Sequence, residues 1–582
     1  MIILGINGLG VSPAACLCID GRLVAMAEEE RLIRVKGAHG LMPGLAARYC
    51  LEHARMTLDD VDYIAFGWDA ERYRLQIPLF AARTLFRRPS ELPDPGNAAR
   101  VVDQLLKYRP AAVMQALHQM CHAAAIPGRL PPVEFVPHHL AHAASAFYCS
   151  GFDKAHVLVV DGSGEHQCTT VYRGAGRSLH EVLSFTIPDS LGWFYQAVTE
   201  FLGFTPNRHE GKVMALASYG SPDPDLRERL GRIIWSGCPG RYKHDGRYSY
   251  LGKHSRGTVF SEKMARLLGA PRVAGEPITG RHENIAFMAQ SILEDIAGGL
   301  VARISTMDDY SGNLCVAGGV ALNCKMNGVL AAMEQVQDLY VPAAPNDAGT
   351  ALGAALHLSN ERGADPRRPL DHAYWGPEFS AREIEDALVR CGARYRHDPN
   401  VEKTVAGLLA NGKIVGWYQG RMEIGARALG SRSILANPAE VGMKDRVNTR
   451  VKGRERWRPF APSILREKAP DYIERLGRAP FMATAFKARK EALGSLSAAV
   501  HVDETTRPQI VTREHSPKYW ELIRCFGEET GTHAVLNTSF NASEEPIVCT
   551  PEQALRTFYA SGMDCLAVGG FLVTKQGEQE GG

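Results

Sequence analysis

Two histidines four residues apart are the residues of this sequence best spaced to bind a metal ion. His138 and His142 belong to the run His138-His139-Leu140-Ala141-His142, and on a helix this spacing places both imidazoles on one face. Taken alone, such a pair is more often two packed or surface histidines than a metal site. Further ligands from elsewhere in the chain would decide between these interpretations.

Two aspartates are candidates for the further ligands. Asp161 follows the apolar run Val157-Leu158-Val159-Val160, and Asp347 lies in Pro345-Asn346-Asp347-Ala348-Gly349. Either aspartate alone would more often serve a turn or a helix cap. Two histidines with two carboxylates suit iron, manganese or zinc better than magnesium.

A pair of glycines marks a second candidate site. Gly318 and Gly319 follow an apolar strand-like run at residues 313–317 and precede Asn323, where the chain is predicted to enter a helix. Paired glycines let the backbone approach a ligand closely, and a helix amino terminus favours phosphate. An ordinary strand-to-helix turn would need only one of the two glycines.

Basic residues are concentrated between residues 421 and 466 of an otherwise neutral chain. They alternate with glycine, proline and apolar residues, which predicts fixed guanidinium groups that bind phosphate; a solvated basic face is the alternative. Arg507 and the later run Asn537-Thr538-Ser539-Phe540-Asn541 add polar donors, although turn chemistry would also explain that run. The basic residues of the segment include Arg427, Arg432, Lys444, Arg446, Arg450, Lys452, Arg454, Arg456 and Arg458.

These residues must be positioned by strands and turns that occur twice in the chain. The first 30 residues predict three strands, at 2–6, 14–19 and 22–27, with Asp20-Gly21 as a hairpin turn. The strand-like run before Asp161, the glycine-rich turn after it and a strand at 168–172 repeat this order. A helix is predicted at 190–202. Together with the late Gly-Gly turn, this order is typical of the actin, sugar-kinase and heat-shock-ATPase nucleotide fold.

The length of the chain predicts more than one domain. Its 582 residues exceed the roughly 250–300 at which a single core stops growing. A polar, proline-containing stretch at 360–369 follows an apolar segment, so we expect a first domain at 1–360, a linker at 361–374 and a second α/β domain at 375–582. The stretch 222–258 is expected to be an insertion or loop, and the tail 575–582 to be frayed.

Composition narrows the classes of function. The formal net charge of +2 gives no field that would recruit nucleic acid or an anionic membrane. The 13 cysteines form no CxxC motif, and neither a signal peptide nor a long uncharged apolar run is evident. We therefore expect a reduced, cytoplasmic protein without nucleic-acid or membrane partners.

With these residues assembled, the chain resembles the O-carbamoyltransferase family that includes the nodulation, cephamycin and tobramycin carbamoyltransferases. The resemblance covers nearly the whole length. It rests on the motifs VAMAEEER (24–31), HHLAHAASAF, VVDGSGE, LGWFY, GFTPNRHEGKVMALASYG, AGGVALN, NDAGTALGAA, ARALGSRSIL, RPFAPS and LNTSFN.

The resemblance implies a first domain like the universal tRNA threonylcarbamoyl transferase and a second domain like YrdC. The YrdC-like domain would make carbamoyl adenylate from carbamoyl phosphate and ATP, with Mg²⁺. The first domain would pass the carbamoyl group to a hydroxyl of a small-molecule acceptor, releasing AMP. A natural-product biosynthetic acceptor and a homodimer fit this family.

The family's functional residues carry over motif by motif. His138, His142, Asp161 and Asp347 would hold Fe²⁺ or a similar divalent ion, and Gly318, Gly319 and Asn323 would line the nucleotide. Lys36, after the Glu-Glu-Glu-Arg run, would contact a phosphate or the acceptor, although a solvated surface lysine is the alternative. Arg427, Lys452, Arg458, Arg507, Ser539 and Asn541 would bind carbamoyl phosphate and the ATP phosphates.

One departure from the family affects the transfer step. The family carries His-Asp-Ala-Ser-Ala-Ala after its first strand, and that histidine takes the proton of the acceptor hydroxyl. The corresponding run here is Val11-Ser12-Pro13-Ala14-Ala15-Cys16, and neither Val11 nor Ser12 is a base at neutral pH. His39, His166 or His209 could substitute, although each alone is more often structural. Alternatively, the acceptor is an amine or an acidic hydroxyl, which we rank first, or the transfer step is altered.

Three hypotheses follow from the sequence. The first is an ATP-dependent carbamoyltransferase acting on a hydroxyl or amine of a small molecule. The second is a tRNA threonylcarbamoylation enzyme, which the near-neutral charge disfavours. The third is a catalytically altered nucleotide-binding scaffold, which the retained metal-ligand and cation sets disfavour.

Overall fold

The computed structural model describes residues 1–75, 106–255 and 257–575, which form two compact units. Unit 1 comprises Met1–Glu29 and Gly37–Leu370, and unit 2 comprises Glu30–Lys36 and the chain from Asp371 onward. The division after Leu370 falls inside the segment 361–374, but nothing in the sequence indicated that Glu30–Lys36 groups with the second unit. The tail after Lys575, expected to be frayed, lies outside the described residues.

Unit 1 contains two five-stranded sheets with the same topology. In each sheet the first strand pairs antiparallel with the second and parallel with the fourth, and the third and fifth strands form the edges. This duplication confirms the predicted class, a two-lobed α/β fold of the actin and heat-shock-ATPase type followed by a second α/β domain. The strands are β1 (Ile2–Asn7), β2 (Ala14–Ile19), β3 (Arg22–Glu28), β4 (Tyr63–Phe66) and β5 (Val133–Phe135) in the first sheet, and β6 (Lys154–Val160), β7 (Gln167–Ala175), β8 (Ser178–Thr186), β11 (Asn313–Ala317) and β12 (Asp338–Tyr340) in the second.

The turn between β2 and β3 confirms the predicted hairpin. Asp20 has φ +49° and Gly21 has φ +74°. Positive φ at both central residues is the conformation of the tight turn that matches the right-handed twist of paired strands. The local sequence therefore sets the register of the first sheet.

Helices Gly44–His53, His138–Ser150 and Ala348–Glu361 of unit 1 pack against the strands of these sheets. The helix predicted at 190–202 is confirmed, since Ser190 caps a helix that begins at Leu191 and ends at Phe201. In chain order the helices up to residue 361 are α1 (Glu29–Ile33, of which all but Glu29 belongs to unit 2), α2 (Gly44–His53), α3 (Pro110–Ala123), α4 (His138–Ser150), α5 (Leu191–Phe201), α6 (Glu210–Leu216), α7 (Pro224–Gly231), α8 (Glu262–Leu268), α9 (Gly280–Ile304), α10 (Cys324–Ala332) and α11 (Ala348–Glu361).

The stretch 222–258 is more ordered than its sequence indicated. It contains α7 and a separate hairpin of β9 (Ile234–Cys238) and β10 (Arg241–His244). The Asp223 side chain caps α7 by accepting a hydrogen bond from the Leu226 amide. Only Leu226 and Leu230 of this helix are buried, which explains the weak helical periodicity of its sequence.

Helix α9 is long and apolar enough, by length and composition, to cross a membrane. Its most apolar 18-residue window has a mean hydropathy of 1.4, and 61% of that window is buried inside the protein. A buried core helix has the same length and composition, so these two properties are only weak evidence of a membrane span.

Two small-residue helices, α4 and α11, pack closely against each other. Helix α11 contacts β1 and β2 of the first sheet, whereas α4 contacts β6 and β11 of the second. A Cβ atom added at Gly353 of α11 would lie 1.7 Å from the carbonyl oxygen of Ala141 in α4. The backbones therefore approach so closely that only glycine fits at this crossing.

Unit 2 is built on an eight-stranded mixed sheet with helices on both faces. Helices α12 (Ala381–Arg390) and α17 (Pro551–Tyr559) cover one face, and α13 (Val401–Ala410) and α16 (Pro517–Thr530) cover the other. Short helices α14 (Met443–Arg446) and α15 (Ala469–Tyr472) lie in the connections. In spatial order the strands are β13 (Arg394–His397), β22 (Phe571–Thr574), β21 (Cys565–Val568), β14 (Val415–Tyr418), β15 (Arg432–Ala436), β20 (Ala534–Ser539), β16 (Ala461–Leu465) and β19 (Gln509–Val511), with β17 (Phe486–Lys487) and β18 (Thr505–Thr506) as a separate pair.

The crossing of α4 and α11 predicts a strong asymmetry between two glycine substitutions. We expect Gly353→Ala to destabilise the protein by about 1–3 kcal/mol because the added methyl group must push the helices apart. Gly298→Ala in α9 is the matched control, since its Cβ would meet only the Met333 sulfur at 4.0 Å. There we expect no loss, or a gain of up to about 1 kcal/mol. Equal melting temperatures for the two variants would contradict the close packing.

Candidate functional site

The four predicted metal ligands meet at one buried point of unit 1. One ligand atom from each of His138, His142, Asp161 and Asp347 can be chosen so that all four lie within 4.8 Å of one another. The two Nε2 atoms are 3.2 Å apart, and Asp161 Oδ2 lies 3.2 Å from His138 Nε2 and 3.5 Å from His142 Nε2. Asp347 Oδ1 lies 3.7 and 3.6 Å from the same two nitrogens.

Each ligand lies at the start or the end of a helix or strand. His138 and His142 occupy the first two turns of α4, Asp161 follows β6, and Asp347 immediately precedes α11. The close packing of α4 against α11 therefore brings the histidines to Asp347, and the second sheet brings Asp161 to both.

The orientation of the His138 ring is fixed by the main chain. Its Nδ1 lies 3.0 Å from the carbonyl oxygen of Gly67, which can only accept a hydrogen bond. Nδ1 therefore carries the proton in the neutral ring, and Nε2 presents a lone pair to the cluster. A metal-binding histidine is usually oriented in this way, by a hydrogen bond from the ring nitrogen that does not bind the metal.

Asp161 is oriented by two backbone amides. Its Oδ1 accepts hydrogen bonds from Gly162 N at 2.8 Å and from Gly319 N at 3.1 Å. These bonds leave Oδ2 facing the two histidines. The predicted ligand-binding glycine Gly319 thus contacts the metal-ligand cluster directly, and a Cβ there would lie 2.9 Å from Asp161 Oδ1.

The two carboxylates of the cluster favour a positive charge between them. Burial alone would lower the pKa of His138, but Asp347 and Asp161 outweigh it and hold that pKa well above its usual value. Burial alone would likewise raise the pKa of both aspartates, but the neighbouring histidines hold the pKa of Asp161 well below its usual range and lower that of Asp347.

The same residues fit a divalent metal ion. Ligand atoms about 2.0–2.2 Å from a common ion lie roughly 3–4.4 Å from one another, which is close to the separations observed here. The donor set of two imidazoles and two carboxylates suits a transition metal.

Two of the residues predicted to line a nucleotide have structural partners. Gly318 has φ +91°, and a Cβ there would lie 2.2 Å from the carbonyl oxygen of Val160. The Asn323 side chain caps α10 by accepting from Met326 N, and it exchanges two hydrogen bonds with Gln290. Contact of these residues with a nucleotide stays a prediction.

A second polar site lies in unit 2 around the buried amine of Lys452. The Nζ atom donates to Ser539 O at 2.8 Å, to Asn541 O at 2.9 Å and to Asn541 Oδ1 at 2.6 Å. Ser539 Oγ lies 3.3 Å from the same Nζ, so four oxygen atoms surround the amine. Ser539 Oγ donates to Asn541 Oδ1 at 2.6 Å, so the three predicted residues form one network.

Several guanidinium groups lie within electrostatic reach of this amine. Burial lowers the pKa of Lys452 well below its usual range, and Arg454, Lys36 and Arg458 add to the effect. Burial also lowers the pKa of Arg454 and of Arg458, and Arg507 acts on both. Glu455 acts on Arg454 and Arg458 in the opposite direction, as does Glu544 on Arg458, but the cations outnumber these carboxylates, which suits an anionic ligand.

Arg454 and Arg507 carry the most direct evidence for such a ligand. Arg454 is held by Asn448 Oδ1 at 2.7 Å and stacks over the Phe460 ring. The buried Nε of Arg507 has no hydrogen-bond partner among the residues that the structure describes. In the sequence, Arg454 stands out only as one member of the basic segment, two residues after Lys452.

Arg427 lies on the loop 425–430. The Asn537 side chain donates to Ala428 O, and Arg31 donates to Gly425 O, so both ends of this loop are anchored within unit 2. Binding of phosphate by Arg427 stays a prediction.

The segment Glu30–Lys36 brings Lys36 to the cation group of unit 2. Arg34 donates to the carbonyl oxygens of Ile547 and Pro546, and Lys36 Nζ lies 3.3 Å from Glu545 O. Asn541 Nδ2 donates to the same Glu545 oxygen. The structure therefore joins Lys36 to the network of Lys452, which sequence distance alone could not show.

The position that lacks the family histidine lies beside the metal-ligand cluster. Ser12 Oγ accepts a hydrogen bond from the side chain of Asn346 at 2.9 Å, next to Asp347. His39 is exposed and lies on a loop whose Gly40 amide donates to Gly10 O, two residues before Ser12. Of the three histidines proposed as substitutes, His39 lies nearest to Ser12 in the sequence.

The other two substitute histidines have different surroundings. Burial, together with Arg72, lowers the pKa of His166 to about 4, so this ring is neutral and a weak base at neutral pH. The ring of His209 accepts a hydrogen bond from the Thr205 amide just before α6. His209 therefore has a local structural role.

Known proteins support one family assignment. The family model described as Carbamoyltransferase N-terminus matches residues 2–356, and the model described as Carbamoyltransferase C-terminus matches residues 406–575. Nodulation protein NolNO of Sinorhizobium fredii is 36% identical over 97% of this chain and 79% of its own length.

Two further likenesses accompany this match. An uncharacterized protein of Synechocystis, sll1178, is 36% identical over 99% of this chain and 97% of its own length. Among solved structures, the activator of the 2-hydroxyisocaproyl-CoA dehydratase from Clostridium difficile, with bound ADPNP, aligns to 62% of this chain and 95% of its own at 11% identity and a TM-score of 0.29. On the family models and the 36% identity to NolNO, the chain belongs to the carbamoyltransferase family of enzymes.

Proposed function

We propose that this carbamoyltransferase works in two steps, an ATP-dependent activation in unit 2 and a carbamoyl transfer in unit 1, and that its acceptor is a small molecule. The observation that carries the proposal is the buried cation group around Lys452 in unit 2, in a chain whose unit 1 holds a separate set of metal ligands. A carbamoyltransferase that only moved a ready carbamoyl donor would need no separate cation group for an anionic ligand, so this group supports a second step.

The first step uses the cations of unit 2. Carbamoyl phosphate loses its phosphate to water and gives carbamate, whose oxygen then attacks the α-phosphorus of ATP. A new O–P bond forms, the bond to pyrophosphate breaks, and carbamoyl adenylate results. Lys452, Arg454, Arg458 and Arg507 would stabilise the negative charge on the phosphates, with Mg²⁺ bound to ATP.

The second step uses the ligand cluster of unit 1. The acceptor oxygen or nitrogen attacks the carbamoyl carbon, the bond from that carbon to the AMP oxygen breaks, and the acceptor loses one proton. A divalent ion held by His138, His142, Asp161 and Asp347 would supply Lewis-acid stabilisation of the leaving phosphate. The Gly67 carbonyl and the two glycine amides keep these side chains oriented for that ion.

Ser12 favours an acceptor that needs little help from a base. Its hydroxyl bonds to Asn346 beside the metal-ligand cluster and cannot take a proton at neutral pH. A neutral amine attacks without prior loss of a proton, so N-carbamoylation is the second candidate reaction. An acidic hydroxyl would satisfy the same constraint.

Substitutions in the two units are expected to separate the two steps. Lys452→Ala or Arg458→Ala should abolish formation of carbamoyl adenylate, AMP and pyrophosphate from ATP and carbamoyl phosphate, because the phosphates lose their cations. His138→Ala should still form the adenylate but not transfer the carbamoyl group. Mass spectrometry of the full-length protein, with and without candidate amine and hydroxyl acceptors, measures both steps.

Arg524 provides the control for loss of positive charge in unit 2, because it lies outside the basic segment at 421–466. Its guanidinium is paired with Glu521, so Arg524→Gln should leave adenylate formation within about 2-fold of wild type. Normal adenylate formation by Lys452→Ala would refute the assignment of the first step to unit 2.

Two histidines of α4 provide a matched test of the metal site. His142→Gln should lose bound divalent metal because one of four ligands is removed, whereas His139→Gln should keep it. The His139 ring pairs with Thr170 Oγ1 at 2.9 Å and is not among the four clustered ligands. Elemental analysis of purified proteins measures the difference, and equal metal content in the two variants would speak against the site.

A further inference from the structure

We propose that Glu165 is a positioning residue of the metal centre, holding His138 in place from outside the ligand set. The proposal rests on the metal-binding role given to unit 1 in the proposed function. Glu165 is 1% exposed, so its carboxylate can be satisfied only by the protein around it. It does not belong to the clustered ligands found among the described residues.

One carboxylate oxygen of Glu165 binds two separate chain segments. Oε1 accepts the backbone N–H of His138 at 3.0 Å and that of Asp69 at 2.7 Å. His138 is the first residue of α4, and Asp69 lies two residues after Gly67, whose carbonyl binds the His138 ring. The carboxylate thus fixes both the backbone that carries the imidazole and the segment that orients it.

The start of α4 needs such a partner. The first amides of a helix have no acceptor within the helix, and Pro137 at the cap position provides no side-chain hydrogen bond. Glu165 accepts one of these amides and places a negative charge at the positive end of the helix. Its loss would leave a buried amide unpaired precisely where the first metal ligand is attached.

The turn that carries Glu165 also carries a metal ligand. Residues 161–166 join β6 to β7, so one six-residue turn supplies a proposed ligand, Asp161, at its first position and the helix partner, Glu165, at its fifth. A Cβ at Gly164 would lie 2.8 Å from the His139 ring. The turn therefore packs against α4, and its position helps to set the positions of the histidines.

The test compares metal affinity in three variants of the full-length protein. Chelator-stripped protein is titrated with Mn²⁺, and the loss of the free-ion signal is followed by electron paramagnetic resonance. Glu165→Leu removes the acceptor at similar volume, whereas Glu165→Gln keeps an amide oxygen that can accept both bonds. Glu200→Leu is the control, because Glu200 accepts the amides of Val259 and Phe260 away from the metal ligands.

We expect the Mn²⁺ dissociation constant to rise about 10–100-fold in Glu165→Leu, as is usual when a partner outside the ligand set is lost. Glu165→Gln should bind within about 3-fold of wild type, and Glu200→Leu should bind like wild type even where its melting temperature falls equally. Near-wild-type binding by Glu165→Leu, or an equal loss in Glu200→Leu, would overturn the positioning role.

Two further outcomes are decisive. If Glu165→Leu does not fold, Glu165→Asp retracts the carboxylate by one methylene, and Mn²⁺ affinity no weaker than that of Glu165→Gln would overturn the proposal. If wild-type protein binds no Mn²⁺, the metal site itself fails and this proposal with it, whereas adenylate formation in unit 2 can still be measured separately.

Discussion

The close contact between helices α4 and α11 is the constraint on which the first unit depends. Each helix lies on a different five-stranded sheet, and Gly353 lets their backbones approach without an intervening side chain. Because His138 and His142 begin α4 and Asp347 precedes α11, the same contact that joins the two halves also assembles the ligand cluster. Stability and site geometry are therefore set by one packing arrangement.

The two units present opposite charges to their candidate ligands. The cluster of unit 1 places two carboxylates around a point that requires a cation, whereas the buried groups around Lys452 in unit 2 require an anion. The formal net charge of +2 conceals this separation. Each site holds its charged groups in position by main-chain hydrogen bonds, such as those to Asp161 and Lys452, so little rearrangement is needed when a ligand of opposite charge arrives.

Several of the predicted site residues already have hydrogen-bond partners within the protein. Gly319, for which contact with a nucleotide stays a prediction, donates its amide to Asp161 and holds that carboxylate toward the histidines. Asn323 pairs fully with Gln290 and caps a helix. Ser12 stands where a base is expected and bonds to Asn346 instead. The role of each residue therefore depends on the hydrogen-bond partners that it already has, and not on its residue type alone.

The sequence by itself determined the duplicated strand order, the Asp20-Gly21 hairpin and the choice of metal-ligating residue types, because turn chemistry and helical spacing are local. It also indicated a second α/β domain with a basic segment. Only the tertiary structure joined Lys36 to the Lys452 network across more than 400 residues, revealed Glu165 beneath His138 and showed the order within the stretch 222–258. Such contacts depend on packing between distant segments, and no local pattern in the chain records them.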